Sequence, residues 1–124
     1  MKVRVPAAVL DGIMELARGA YPREMIMLLR GERRGDSVTV TETLFPPLGL
    51  GGRGFASFPV QMLPIDFTIV GTVHSHPSGN VTPSTGDLHN FYGRLMMIVG
   101  PPFDGSAVAA YDKQGNRLDV EVVG

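Results

Sequence analysis

Residues 67–87 read Phe67-Thr68-Ile69-Val70-Gly71-Thr72-Val73-His74-Ser75-His76-Pro77-Ser78-Gly79-Asn80-Val81-Thr82-Pro83-Ser84-Thr85-Gly86-Asp87. Phe67 to Val73 is apolar or β-branched apart from one glycine, the composition of a buried central strand. That strand runs straight into His74. Two histidines at i and i+2 on a strand end point to the same side of the pleat, so their imidazoles can converge on one ion. Residues 77–83 carry Pro77, Gly79 and Pro83 and can turn the chain back. A helix expected over 84–94 then presents Asp87 in its first turn. His74, His76 and Asp87 make a set of two nitrogens and one carboxylate oxygen. Zn2+ accepts such ligands, and a catalytic zinc site uses three protein ligands and keeps a fourth position for water. Each piece also has a plainer reading. His-x-His pairs occur without metal, Ser84-x-x-Asp87 is a helix capping box, and the prolines and glycine punctuate loops. Capping and ligation are compatible, because Asp87 can start a helix and still face an ion.

The chain has 124 residues, 44% of them hydrophobic, and reads as a single domain over 1–124. It carries 11 basic and 12 acidic groups, a formal net charge of −1. That balance supplies neither a basic face for nucleic acid nor a polybasic membrane surface. No cysteine is present. Disulfides, thiolate zinc sites and a cysteine nucleophile are excluded, and any metal must be held by His, Asp or Glu. No apolar run reaches the roughly 18 residues of a membrane span, and Met1 to Pro6 contains no apolar signal core. The default expectation is a soluble cytoplasmic protein. With 16 glycines and 10 prolines, short elements and many turns are expected rather than a helix bundle.

Upstream of the central strand, Lys2 to Val5 alternates as a short strand. Pro6 suits a helix start, and Val9, Leu10, Ile13, Met14, Leu16 and Ala17 fall at helical spacing, predicting an amphipathic helix over 6–19. Met25 to Leu29 reads as a buried strand, Gly31 to Asp36 as a polar turn, and Ser37 to Leu44 as the strand pairing back. Phe45 to Gly54 is a Gly/Pro-rich loop, Phe55 to Phe58 a short strand, and Pro59 to Pro64 a turn or short helix. Downstream, Leu95 to Val99, Ala107 to Tyr111 and Leu118 to Val123 read as strands, the last two joined by a turn at Gln114-Gly115-Asn116. The sum is an α/β or α+β arrangement: a mixed sheet with about two helices.

Four residues stand at fixed spacing: His74-x-His76, seven residues, Ser84, two residues, Asp87. A chance match of this kind is on the order of one in 10⁵ per start position. The pattern resembles, without departure, the signature of the JAMM/MPN+ metalloprotease family. The resemblance extends to helix 6–19, to Tyr21-Pro22-Arg23-Glu24 leading into Met25–Leu29, and to Met62-Leu63-Pro64 ahead of the central strand. It implies an α/β single-domain MPN (cytidine-deaminase-like) fold, a mixed central sheet flanked by about two helices, of the compact archaeal type. It implies a zinc ion on His74, His76 and Asp87, and Ser84 as donor to a tetrahedral oxyanion.

An acid/base group is less evident from residues alone: Glu15, Glu24, Glu32 and Glu42 are all candidates. Glu24 is unusual in preceding an apolar strand directly, although a polar residue at a strand edge is the plainer reading. The resemblance places the catalytic glutamate at this helix-to-strand junction, on Glu24. It also implies an isopeptidase acting after the C-terminal Gly-Gly of a ubiquitin-like modifier, or a peptidase trimming a sulfur-carrier protein of the same fold. Such a tail is extended, and Phe55, Ala56, Ser57 and Phe58 are the strand edge expected to pair with it. Two other readings stand beside this one. A metal-free MPN scaffold would have lost ligands that this chain keeps. A RadC-like protein shares His76-Pro77-Ser78-Gly79 and Thr82-Pro83-Ser84, but usually carries an N-terminal DNA-associated part. His89, two residues past Asp87, reads as a surface group, and Met25, Met27, Met62, Met96 and Met97 as core.

Overall fold

The computed structural model describes residues 1–45 and 66–124. Among them are strands β1 (Lys2–Pro6), β2 (Ile26–Arg34), β3 (Ser37–Leu44), β4 (Ile69–Ser75), β5 (Leu95–Val99), β6 (Val108–Tyr111) and β7 (Arg117–Val123). Helix α1 (Ala7–Ala20) follows β1, and the short α2 (Thr85–His89) lies between β4 and β5. The strand expected at 55–58, the turn at 59–64 and nearly all of the 45–54 loop lie outside the described residues.

The strands follow the order β1-β3-β2-β4-β5-β6-β7 and close into a barrel through β1 and β7. β1 runs parallel to both β3 and β7, and β4 runs parallel to β5; the other neighbours are antiparallel. The mixed sheet follows from the connections. Short connections give the antiparallel pairs β2·β3, β5·β6 and β6·β7, while the parallel β4·β5 pair needs the long crossover 76–94 that carries α2. Closure satisfies both edges of the sheet.

Helix α1 buries Leu10, Ile13, Met14 and Ala17, an i, i+3, i+4, i+7 stripe, while Leu16, which spacing grouped with them, is exposed. That stripe packs into one core with Val3, Val5, Leu29, Val38, Val40, Val73 and Met97. Each fully buried side chain of this size contributes about 1.5–3 kcal/mol. β4 and β5 are buried along nearly their whole length. The central strands are therefore the most rigid place from which to project a side chain.

Three elements differ by more than one residue from the sequence expectation. β2 continues through Gly31-Glu32-Arg33-Arg34, which had read as a turn; these residues pair with β3, and only Gly35-Asp36 turns, with Gly35 at φ +58°. A two-residue hairpin loop with a left-handed glycine suffices, and the charged residues lie on a solvent-facing strand end. β4 starts at Ile69 rather than Phe67: the Asp66 carboxylate accepts from Thr68 N–H at 2.9 Å and holds the entry in a turn, leaving Phe67 exposed. α2 stops at His89 rather than 94. It buries no residue, so no apolar stripe extends it. Beyond it the chain must rejoin the sheet, with Gly93 at φ +82° against the Val70 carbonyl and Arg94 N–H donating to that oxygen at 2.7 Å.

Gly71 pairs with Leu95, and a Cβ there would collide with the Leu95 carbonyl oxygen, a backbone atom that cannot step aside. Gly12 sits in mid-helix with open space around its Cβ position. Gly71→Ala should destabilise the protein by about 1–3 kcal/mol through overpacking. Gly12→Ala should stabilise it by about 0.5–1 kcal/mol through helix propensity. Urea melts of the two variants test this register, which would be wrong if both substitutions acted alike.

Candidate metal centre and catalytic cleft

β4 ends by delivering His74, 3% exposed, between Ile26 of β2 and Ile98 of β5. His76 follows just past the strand, its N–H bonded to Val99 O at 2.9 Å. This bond extends the β4·β5 pairing one residue further and keeps both imidazoles on one face of the pleat. The loop 77–83 then returns the chain to Ser84, the N-cap of α2. Ser84 Oγ accepts from Asp87 N–H at 3.0 Å, and Ser84 N–H donates to Asp87 Oδ2 at 2.8 Å, a reciprocal capping box. The cap points the Asp87 carboxylate at the histidines, so capping and convergence coexist in one side chain.

The three candidate ligand atoms form a small triangle. His74 Nε2 and His76 Nε2 are 3.0 Å apart, and Asp87 Oδ2 lies 3.2 Å from His76 Nε2 and 3.4 Å from His74 Nε2. For metal–ligand bonds of about 2.0–2.1 Å, a tetrahedron has edges of about 3.3–3.4 Å. The triangle is close to one face of such a tetrahedron, and these residues form the candidate metal-holding group among the described residues. His76 Nδ1 lies 2.6 Å from the Asn80 carbonyl, which can only accept. Nδ1 therefore carries the proton in the neutral ring, leaving the Nε2 lone pair free for an ion.

Electrostatics follow from the same contacts. The hydrogen bond to Asp87 raises the His76 pKa above the ordinary imidazole value; burial opposes this, and the Asn80 carbonyl and the charges of Asp87 and Glu24 add to it. Burial alone would raise the Asp87 carboxyl. Hydrogen bonds with His74, His76 and the Ser84 N–H outweigh it and hold Asp87 well below the carboxylate range. The Asp87 carboxylate is thus favoured in its anionic form.

Glu24 lies directly before Met25 and lines the same open cleft as His76, Ser84 and Asp87, a space of about 590 Å³ walled by Pro22, Pro77 and Pro83. Its position is set by a residue that sequence reading passed over. Ser75, fully buried between the two histidines, accepts from Met25 N–H through Oγ at 2.8 Å and donates its own N–H to Met25 O at 3.0 Å. This pair fixes the junction carrying Glu24 to the strand end carrying the imidazoles. A serine between two histidines carries one usable signal: alternation sends its side chain to the opposite face. His89 is exposed, as expected of a surface group, and Met25, Met27, Met96 and Met97 are buried. Phe55, Ala56, Ser57 and Phe58 lie outside the described residues, as does Met62.

A family model for prokaryotic homologs of the JAB domain matches residues 6–113. The chain belongs to the prokaryotic JAB family. A probable metalloprotease from Haloferax volcanii is 35% identical over 128 residues, covering 98% of this chain and 80% of that protein. Among solved structures, a JAB1/MPN domain protein from Archaeoglobus fulgidus is 33% identical with a TM-score of 0.70, covering all of both chains. A second, described as JAMM, a metalloprotease-like zinc site in the proteasome and signalosome, is 29% identical with a TM-score of 0.71, again over all of both chains. The JAB/MPN fold is thus shared along the whole length, as the resemblance implied.

The pH behaviour of this JAB site has a defined sign. In the metal-free protein the raised His76 pKa makes its proton stabilising. That contribution is complete below about 6.5 and is lost as pH rises through the higher folded value. The lowered Asp87 pKa contributes at every pH above the ordinary carboxylate value and is lost only as pH falls through the folded one. The His76 contribution should therefore make the metal-free protein melt at a higher temperature at pH 6 than at pH 8. A divalent ion requires neutral His76, so the increase in Tm on adding zinc should shrink over the same interval. Scanning fluorimetry with and without zinc reads both trends; a zinc-induced shift that grew on acidification would contradict ligation by His76.

Proposed function

We propose that this chain is a zinc-dependent metalloprotease of the JAMM type that hydrolyses the bond after the C-terminal Gly-Gly of a ubiquitin-like protein. The single observation carrying the reading is the triangle of His74, His76 and Asp87 opening onto a cleft shared with Glu24 and Ser84. A set of two nitrogens and one carboxylate oxygen with a vacant corner suits catalytic zinc, and its N/O character favours zinc over harder cations. Bound there, zinc supplies Lewis acidity, polarising a carbonyl and making water acidic near neutral pH.

The chain's own groups supply the rest. The Glu24 carboxylate, which lines the cleft, takes the proton of the attacking water and returns it to the leaving nitrogen. Ser84 Oγ accepts from Asp87 N–H and so keeps its own hydroxyl proton to donate to the tetrahedral oxyanion. Asp87 and Glu24 give the cleft an acidic lining, suited to a protonated amine leaving group. Pro22, Pro77 and Pro83 and the short side chains Ser78, Asn80 and Thr82 form the walls. Three prolines restrict the backbone of these walls, and a tail without Cβ atoms meets them at least steric cost. The similarity to a structure described by the proteasome and signalosome supports a ubiquitin-like substrate class. Phe55, Ala56, Ser57 and Phe58 remain the segment proposed to pair with the extended tail.

The test is a ubiquitin-like protein joined through its terminal glycine to a lysine side chain, with cleavage followed by mass spectrometry. Wild type should cleave it, lose activity to a chelator and recover with zinc. Glu24→Gln should keep its zinc and lose kcat by about 10²–10⁴-fold. Undiminished turnover in that variant would remove Glu24 from the reaction. Failure of zinc-loaded wild type to cleave either an isopeptide or a linear Gly-Gly junction would remove the substrate class.

A further inference from the structure

We infer that Tyr111 is a positioning residue for the metal site, holding the loop 77–83 in the register that orients the His76 imidazole. The inference rests on the metal reading of His74, His76 and Asp87.

His76 is oriented by one contact on its far nitrogen, Nδ1 to the Asn80 carbonyl at 2.6 Å. The position of that carbonyl therefore sets the direction of Nε2. Asn80 lies in a loop whose own bonds are local. Gly79 N–H donates to His76 O at 3.0 Å, Asn80 N–H to Ser78 Oγ at 3.3 Å, and Thr82 N–H to Asn80 Oδ1 at 3.0 Å. These shape the loop from within. It meets the barrel at Gly79, beside Gly100, and at Val81, the residue after Asn80. The Val81 carbonyl accepts from the Tyr111 hydroxyl at 2.8 Å, across 30 positions of sequence. Its side chain packs on the second core cluster, Met96, Ile98, Ala109 and Tyr111, and lies 3.4 Å from the Cβ position of Gly100.

Tyr111 is well suited to anchor the loop. It is 6% exposed, near the end of β6, and paired with Met96 of β5. β5 in turn pairs with β4 at His74 and Ser75. The hydroxyl thus projects from the strand layer that carries the histidines to the loop that orients one of them. Two adjacent carbonyls divide the work: Val81 O is held by the barrel, and Asn80 O holds His76. A side chain needed only for packing could be phenylalanine; the hydroxyl is what reaches the loop.

Removing a group that directly orients a ligand typically weakens metal binding about 10–100-fold. Tyr111 acts one carbonyl further away, so Tyr111→Phe should raise the zinc Kd by about three- to tenfold, measured by competition with a chromogenic chelator. Phe91→Leu alters the same apolar cluster without touching the loop carbonyls and should leave the Kd unchanged. A spectroscopic reading accompanies this: in zinc-loaded Tyr111→Phe the His76 Nδ1 proton should exchange with water faster than in wild type, while the Nδ1–H tautomer persists. Linkage supplies a reading in wild type alone, useful if the variant folds poorly. Zinc should slow exchange of the Tyr111 hydroxyl proton, because coupling between two sites is reciprocal. Wild type that binds no zinc overturns the metal reading and this inference together. Zinc-binding wild type with an unchanged Kd in Tyr111→Phe, an equal loss in Phe91→Leu, or no zinc effect on the hydroxyl proton overturns the role of Tyr111 alone.

Discussion

Asp87 Oδ2 has three neighbours that each demand something of it: the Ser84 N–H at 2.8 Å, His76 Nε2 at 3.2 Å and His74 Nε2 at 3.4 Å. A helix cap and a candidate metal face meet on one atom, so neither can be displaced without the other. The carboxylate is 15% exposed, a position where an anion persists only if hydrogen bonds replace the lost water. Those bonds come from both sides of the site. α2, by contrast, buries nothing and spans five residues. An isolated helix of that length has no stability of its own in water. It exists because Ser84 caps it, Asn90 closes it through bonds to Gly86 O, and Asp87 ties it to the end of β4.

The barrel contributes by making the strand end stiff. β4 is hydrogen-bonded on both sides, to β2 and β5, and His74 sits where both ladders are still intact. Past Ser75 the order is carried by single bonds. Ser75 ties the chain to Met25 on the β2 side, and His76 N–H ties it to Val99 on the β5 side. The site is therefore built at the point where the sheet stops supplying hydrogen bonds and side chains take over. Glu24 and His76 inherit their placement from those two neighbouring contacts.

The parts readable from sequence were those with local cause. Helix α1 declared itself through a stripe of spacing 3.6, and β4 through a β-branched run ending in His74. His74, His76, Ser84 and Asp87 were legible as a set because strand alternation and a helix first turn both have fixed geometry. What sequence did not reveal depends on distant partners. Closure of the mixed sheet rests on β1 lying between β3 and β7, from opposite ends of the chain. The charged end of β2 looks like a turn until its partner in β3 is known. The early end of α2 follows from Gly93 meeting the Val70 backbone, which no local pattern announces. Ser75 and Tyr111 carry no local signal of their roles, because those roles lie in side-chain hydrogen bonds to backbone atoms 50 and 30 residues away.

Those two contacts also explain how a small protein without cysteine orders a candidate metal site. A crosslink would fix such loops by restricting the unfolded chain; here buried hydroxyls bonded to backbone do it in the native state. A hydroxyl buried without a partner costs free energy, whereas the same group paired to a backbone N–H or C=O is neutral to favourable. Ser75 is paired to Met25 N–H and Tyr111 to Val81 O, and no described buried side-chain polar atom lacks a partner. The consequence is directional. Neither Ser75 nor Tyr111 lines the cleft, so they constrain Glu24 and His76 without occupying the space those residues face.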